Sequence, residues 1–68
     1  MHEDCCIIID RLIEERHAKG MTQNELAIAA NLTQSVIARM ESKKAAPQLN
    51  TLLKVVSALG CELIISRQ

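Results

Sequence analysis

The side chains of this chain that could do chemistry are few, and most of them hydrogen-bond rather than react. Cys5, Cys6 and Cys61 are the thiols, and His2 and His17 the imidazoles. There is no Cys-x-x-Cys, no His-Glu-x-x-His and no glycine-rich phosphate loop, so the common redox, zinc-hydrolase and nucleotide-binding patterns are missing. His2, Cys5 and Cys6 lie close in sequence, but neighbouring residues on a helix point about 100° apart. No metal site and no cofactor is expected from them. An odd cysteine count without paired spacing suits free thiols in a reducing cytosol better than a disulfide framework or a redox role. His17 reads as a surface residue, and an enzyme is not expected.

The informative chemistry is capping. Thr22, Gln23, Asn24 and Glu25 have the capping-box form, in which a hydroxyl takes the N–H at the third helical position and a Glu reaches back. Thr33 and Gln34 open a second helix in the same way, with Ile37 and Met40 facing inward. Between them stands Asn31, which tolerates the left-handed backbone of a tight corner. Two short helices joined by such a turn make a helix-turn-helix, whose second helix fits a DNA major groove.

These elements need a framework. The 68 residues make one domain, 49% hydrophobic and without Trp, Tyr or Phe, so the core is Ile, Leu, Val, Met and Ala. So small a core gives little net stability, and oligomerisation is a usual remedy. The apolar run 5–9 is too short to span a membrane and follows Glu3 and Asp4, not a basic flank. Net charge is zero, yet residues 1–32 carry three basic and six acidic groups while residues 33–68 carry five basic and two acidic. The positive half begins at the proposed recognition helix.

A first helix is expected from about residue 3 to 19, ending at Gly20, with Cys5, Ile8, Ile9, Leu12 and Ile13 as its buried stripe. Cys6 and Ile7 widen its apolar start toward a second subunit or the C-terminus. A second helix spans about 23–30 and buries Leu26, Ala27 and Ala30, and a third spans about 34–42. After a loop ending at Pro47, a fourth runs from an Asn50 cap to Leu59, with Leu52, Val55, Val56 and Leu59 inward and Gly60 as its stop. Residues 61–66 are β-branched-rich, too short for a helix, and read as a strand. A lone apolar strand calls for the same strand of a second copy. The fold class is therefore all-α, four helices plus a C-terminal strand pairing across a homodimer. Residues 1–60 form the DNA-binding domain and 61–68 the dimerisation strand and tail, with Leu63, Ile64 and Ile65 carrying the interface.

Thr22, Gln23, Leu26 and Ala27, then Leu32, Thr33, Gln34, Ser35, Ile37, Arg39, Met40 and Glu41, then Lys44, Pro47, Leu52, Ala58, Leu59 and Gly60, resemble the Cro/repressor helix-turn-helix family. The resemblance covers about residues 9–60 and implies a lambda-repressor-like bundle that binds operator DNA as a dimer. Residues 12–16, the stretch from Gly20 to Gln23 and the terminal strand also look like short HigA- and HipB-type antitoxins. Asn31 and Lys43 stand where that family usually has Gly, and Ile28 where it usually has a polar residue.

The resemblance assigns Gln23 to a phosphate and Thr33, Gln34, Ser35 and Arg39 to the groove. Gln suits adenine and Arg suits guanine; Val36 or Ala38 could meet a thymine methyl. Lys43 and Lys44 fall beside phosphates. Arg16 and Glu41 match a partly buried ion pair tying the first helix to the third. The expectation is a cytoplasmic, dimeric repressor, the autoregulating antitoxin of a toxin–antitoxin operon, with operator DNA and a cognate toxin as partners. The alternatives are a stand-alone phage, plasmid or restriction–modification regulator, or chiefly a toxin-binding module.

Overall fold

Among the described residues four helices, α1 (Glu3–Ala18), α2 (Gln23–Ala29), α3 (Gln34–Glu41) and α4 (Leu49–Ala58), follow one another along the chain. They come from a computed structural model, which describes residues 2–67. Each start and stop has a local cause. The α1 cap is His2, whose Nδ1 accepts from the Asp4 N–H at 3.1 Å. The Thr22 capping box at α2 is complete: Thr22 Oγ1 accepts from the Glu25 N–H at 3.1 Å, and Glu25 Oε1 from the Thr22 N–H at 3.0 Å. Thr33 Oγ1 caps α3 through the Val36 N–H at 3.3 Å. For α4 the expected Asn50 cap gives way to Gln48, which makes no side-chain cap bond. Asn50 lies one residue inside the helix, where its Oδ1 takes the Thr51 N–H at 2.9 Å.

Every helix ends at a left-handed residue: Gly20 (φ 66°), Asn31 (φ 58°), Lys43 (φ 61°) and Gly60 (φ 71°). At Asn31 the turn between α2 and α3 closes with paired bonds, Leu32 N–H to the Ala27 carbonyl at 2.8 Å and Asn31 N–H to the Ile28 carbonyl at 3.1 Å. These satisfy two carbonyls that the helix end would otherwise leave open. Lys43 is the strained member, since its Cβ gains nothing from that backbone region.

The core gathers Ile9, Leu12, Leu26, Ala27, Ile37, Met40, Val55, Val56 and Leu59 from all four helices. Methyl-sized Ala27 and Ala30 are buried at the corner, where α2 and α3 make the most extensive interhelical contact. The α1 stripe is narrower than its periodicity suggests. Ile9 and Leu12 are buried, Cys5 and Ile13 are half-buried, and Ile8 remains 38% exposed. Arg16 replaces a further apolar residue in that row, and burial of an arginine demands a partner.

The strand expected at residues 61–66 is not formed within the chain. Residues 61–67 are neither helix nor strand, because a strand exists only through a ladder and every regular element among the described residues is a helix. Leu63, Ile64 and Ile65 are left 45%, 75% and 96% exposed.

Candidate nucleic-acid interface

Thr33 starts the candidate surface, because its cap sets where α3 begins and so which side chains face out. Ile37 and Met40 lock the inner side of α3, while Gln34, Ser35, Ala38 and Arg39 are exposed along its outer side and Val36 is half-buried. Thr33, Gln34, Ser35 and Arg39 thus lie along one continuous outer surface. Gln34 and Arg39 can present an amide and a guanidinium to base edges, and neither makes a side-chain bond to the rest of the described chain.

Charge is partitioned more sharply than sequence counts reveal. In α1, Arg11 bridges Glu14 and Glu15 at 3.6 and 3.3 Å, and Lys19, just after the helix, meets Glu15 at 3.8 Å. Beyond residue 33, Arg39 and Lys44 make no ion pair among the described residues. Lys54 on α4 and Arg67 near the C-terminus likewise make no ion pair among the described residues, but Arg39 and Lys44 lie at the outer side of α3 and the loop after it, where a polyanion could use them.

Lys43 differs. Its Nζ lies 2.6 Å from Asp10 Oδ1 on α1. That bond, with the attraction of the Asp10 charge, raises the Lys43 pKa above its ordinary value. Folding thus commits one of the two loop lysines to an internal contact.

Arg16 and Glu41 meet deep in the fold, with side chains only 10% and 8% exposed. Arg16 Nε donates to Glu41 Oε2 at 2.8 Å and Nη2 to Oε1 at 3.0 Å, a fork-to-fork pair. Arg16 Nη1 also donates to the Met21 carbonyl at 2.8 Å, fixing the loop between α1 and α2. Gln23, expected at a phosphate, is half-buried, and its Nε2 donates to Glu41 Oε1 at 3.0 Å. Sequence reading separated Gln23 from the ion pair; the signal it had was a carboxylate with lone pairs beyond those one arginine fills.

Leu63 and Ile64 border a groove of about 480 Å³ with Ile7, Ile8, Leu12, Val56 and Cys61, while Ile65 stands outside it. Cys5, Cys6 and Cys61 are half-buried and form no disulfide among the described residues. No cluster of three or more metal-ligating side chains occurs among the described residues. No helix among them is long and apolar enough to cross a membrane.

Comparison with known proteins places this geometry. A helix-turn-helix family profile matches residues 12–65. An uncharacterized HTH-type transcriptional regulator of Haemophilus influenzae is 40% identical over 85% of this chain and 59% of its own length. A Mycobacterium tuberculosis protein named "Putative antitoxin HigA2" is 44% identical over 82% of this chain and 56% of its own. The chain thus spans rather more than half the length of these relatives. A solved structure, a toxin–antitoxin module from Streptococcus pneumoniae, superposes with TM-score 0.79 at 42% identity, covering 96% of this chain and 71% of the other. With its two capped helices closed around Asn31 and a profile match over most of its length, the chain belongs to the Cro/repressor-type helix-turn-helix family.

Proposed function

We propose that this protein is a homodimeric repressor that reads operator DNA through α3 and serves as the autoregulating antitoxin of a toxin–antitoxin operon. The observation that carries the DNA reading is the outer side of α3: Gln34, Ser35 and Arg39 exposed and unpaired on a helix fixed by its own cap and a buried inner row. Thr33 does two jobs in this reading, as cap and as groove contact. Gln23 and Lys44 hold phosphates directly, and Lys43 does so after leaving Asp10. Residues 61–66 pair with those of a second copy as an antiparallel ribbon, and first-helix residues such as Cys5 or Ile8 cover its apolar faces. The antitoxin setting draws on the names of the relatives.

Selection of bound duplexes from a random DNA pool, followed by footprinting, tests the reading. The expected product is a pseudo-palindrome with half-sites about one helical turn, roughly 34 Å, apart. A pool that yields no enriched sequence sinks it. The rival, a chain whose chief role is to hold a toxin, has one supporting feature, Ile28 at 71% exposure on α2. Failure to select DNA, with stable binding to the product of an adjoining reading frame, would favour that rival.

A further inference from the structure

Glu41 does more than neutralise Arg16. An ionised carboxylate accepts hydrogen bonds and donates none. Its Oε2 takes Arg16 Nε, while Oε1 takes both Arg16 Nη2 and Gln23 Nε2, each at 3.0 Å. The Gln23 amide has two ends of opposite sense. Turned round, it would set its own oxygen against Oε1 of Glu41, acceptor against acceptor, beside a carboxylate only 8% exposed. The carboxylate therefore selects one orientation of the amide. One Nε2 N–H is committed to Glu41, and the other makes no hydrogen bond among the described residues.

We propose that Glu41 is a positioning residue for DNA binding: it orients the Gln23 amide so that its second Nε2 N–H, not its oxygen, is offered to a phosphate oxygen. This rests on the reading of Gln23 as a phosphate contact. An unrestrained amide would present its acceptor to the phosphate for part of the time, and two acceptors repel. Arg16 in turn holds Glu41, so a buried pair that touches no DNA sets the polarity of a group that does.

The substitution Glu41→Gln tests it, because the new amide can donate to Gln23 Oε1 and turn the Gln23 amide round. Affinity for the selected operator and for an unrelated duplex is measured with folded protein, in the natural background and in the Gln23→Ala background. Glu41→Gln is expected to weaken both duplexes by about fivefold in the first background and by less than twofold in the second. Equal losses in the two backgrounds, or no loss in either, overturn the proposal, since Glu41 would then act through the fold or not at all. Should Glu41→Gln fold poorly, the natural protein answers by NMR, its Gln23 side-chain amide assigned by its absence in Gln23→Ala. One amide proton slowed in solvent exchange supports the proposal; two protons exchanging as fast as those of an exposed glutamine overturn it. Flat titrations for the natural protein would overturn both this inference and the repressor reading, whereas tight natural binding with equal losses overturns the inference alone.

Discussion

Arg39 and Gln34 share α3 with Ile37 and Met40, and the difference between the two pairs is whether a side chain finished its bonding inside the chain. The buried pair is used up in packing; the exposed pair keeps its donors and acceptors for a ligand. If both read bases through bidentate contacts, Arg39→Ala and Gln34→Ala each cost about 1–3 kcal/mol at particular base pairs of the selected operator and relax discrimination there. Gel shifts against single-base operator variants check this, and unchanged preference in both mutants refutes the recognition role of α3. Lys44→Ala weakens all sequences alike and lowers the salt slope by about one. Lys43 behaves differently because Asp10 competes for it. Asp10→Asn should tighten binding to specific and non-specific duplexes alike, and that gain should shrink when Lys43→Ala is already present. An equal gain in both backgrounds would assign the effect to the lost negative charge alone.

Among the elements, α2 depends most on its ends, having seven residues and little cooperative helix of its own. Thr22→Ala removes the hydroxyl from the capping box and should cost about 1 kcal/mol in denaturant unfolding. The Glu25 half of the box carries a pH signature. The Thr22 backbone N–H, and after it the Thr22 hydroxyl, hold the Glu25 pKa below its ordinary 4.5. A depressed carboxylate contributes stability that is present above 4.5 and is lost as pH falls through the folded value. Glu25→Gln should therefore lower the melting temperature at neutral pH, with the gap closing in strong acid. A gap independent of pH would mean that the carboxylate charge is irrelevant to the cap. Between elements, Arg16 ties α1 to α3 through a pair almost wholly removed from water. Arg16→Ala leaves Glu41 buried without its main partner and should cost roughly 3–5 kcal/mol. That is a large part of what a domain of this size possesses, so thermal melts should show a protein near its folding threshold.

At the scale of the molecule, the apolar surface is unevenly finished. Ile7, Leu63, Ile64 and Ile65 remain largely exposed around and beside the α1–α4 groove, and residues 61–67 have no ladder within the chain. A second copy of the segment would supply the ladder, residues of α1 such as Ile8 would cover the apolar faces of the ribbon, and the pairing would set the spacing of two α3 helices. Deleting residues 61–68, or placing Pro at Ile64, should yield a monomer or an aggregate and abolish tight operator binding. Sedimentation measures the outcome directly: a soluble, folded dimer that survives the deletion would move the interface onto the helices.

Most of the helical framework was legible because its signals are local. Thr22, Thr33, Gly20, Asn31 and Gly60 punctuate the chain through bonds to residues three or four positions away, and the spacing of Leu26, Ala27, Ile37 and Met40 names the buried sides without reference to anything distant. Asn50 misled because the fourth helix begins at Leu49, two residues earlier than a side-chain cap at Asn50 would require. The strand at residues 61–66 was legible as composition but not as structure, since a strand needs hydrogen-bond partners that this segment does not find in its own chain. Tertiary structure alone decided the bonding of Lys43 and Gln23. Asp10 lies thirty-three residues from Lys43, and Glu41 eighteen from Gln23. No pattern along the chain announces such meetings. They depend on how α1 and α2 pack against α3 and the loop after it, which fixes whether a polar group that the sequence can only name is satisfied within the fold or left for DNA.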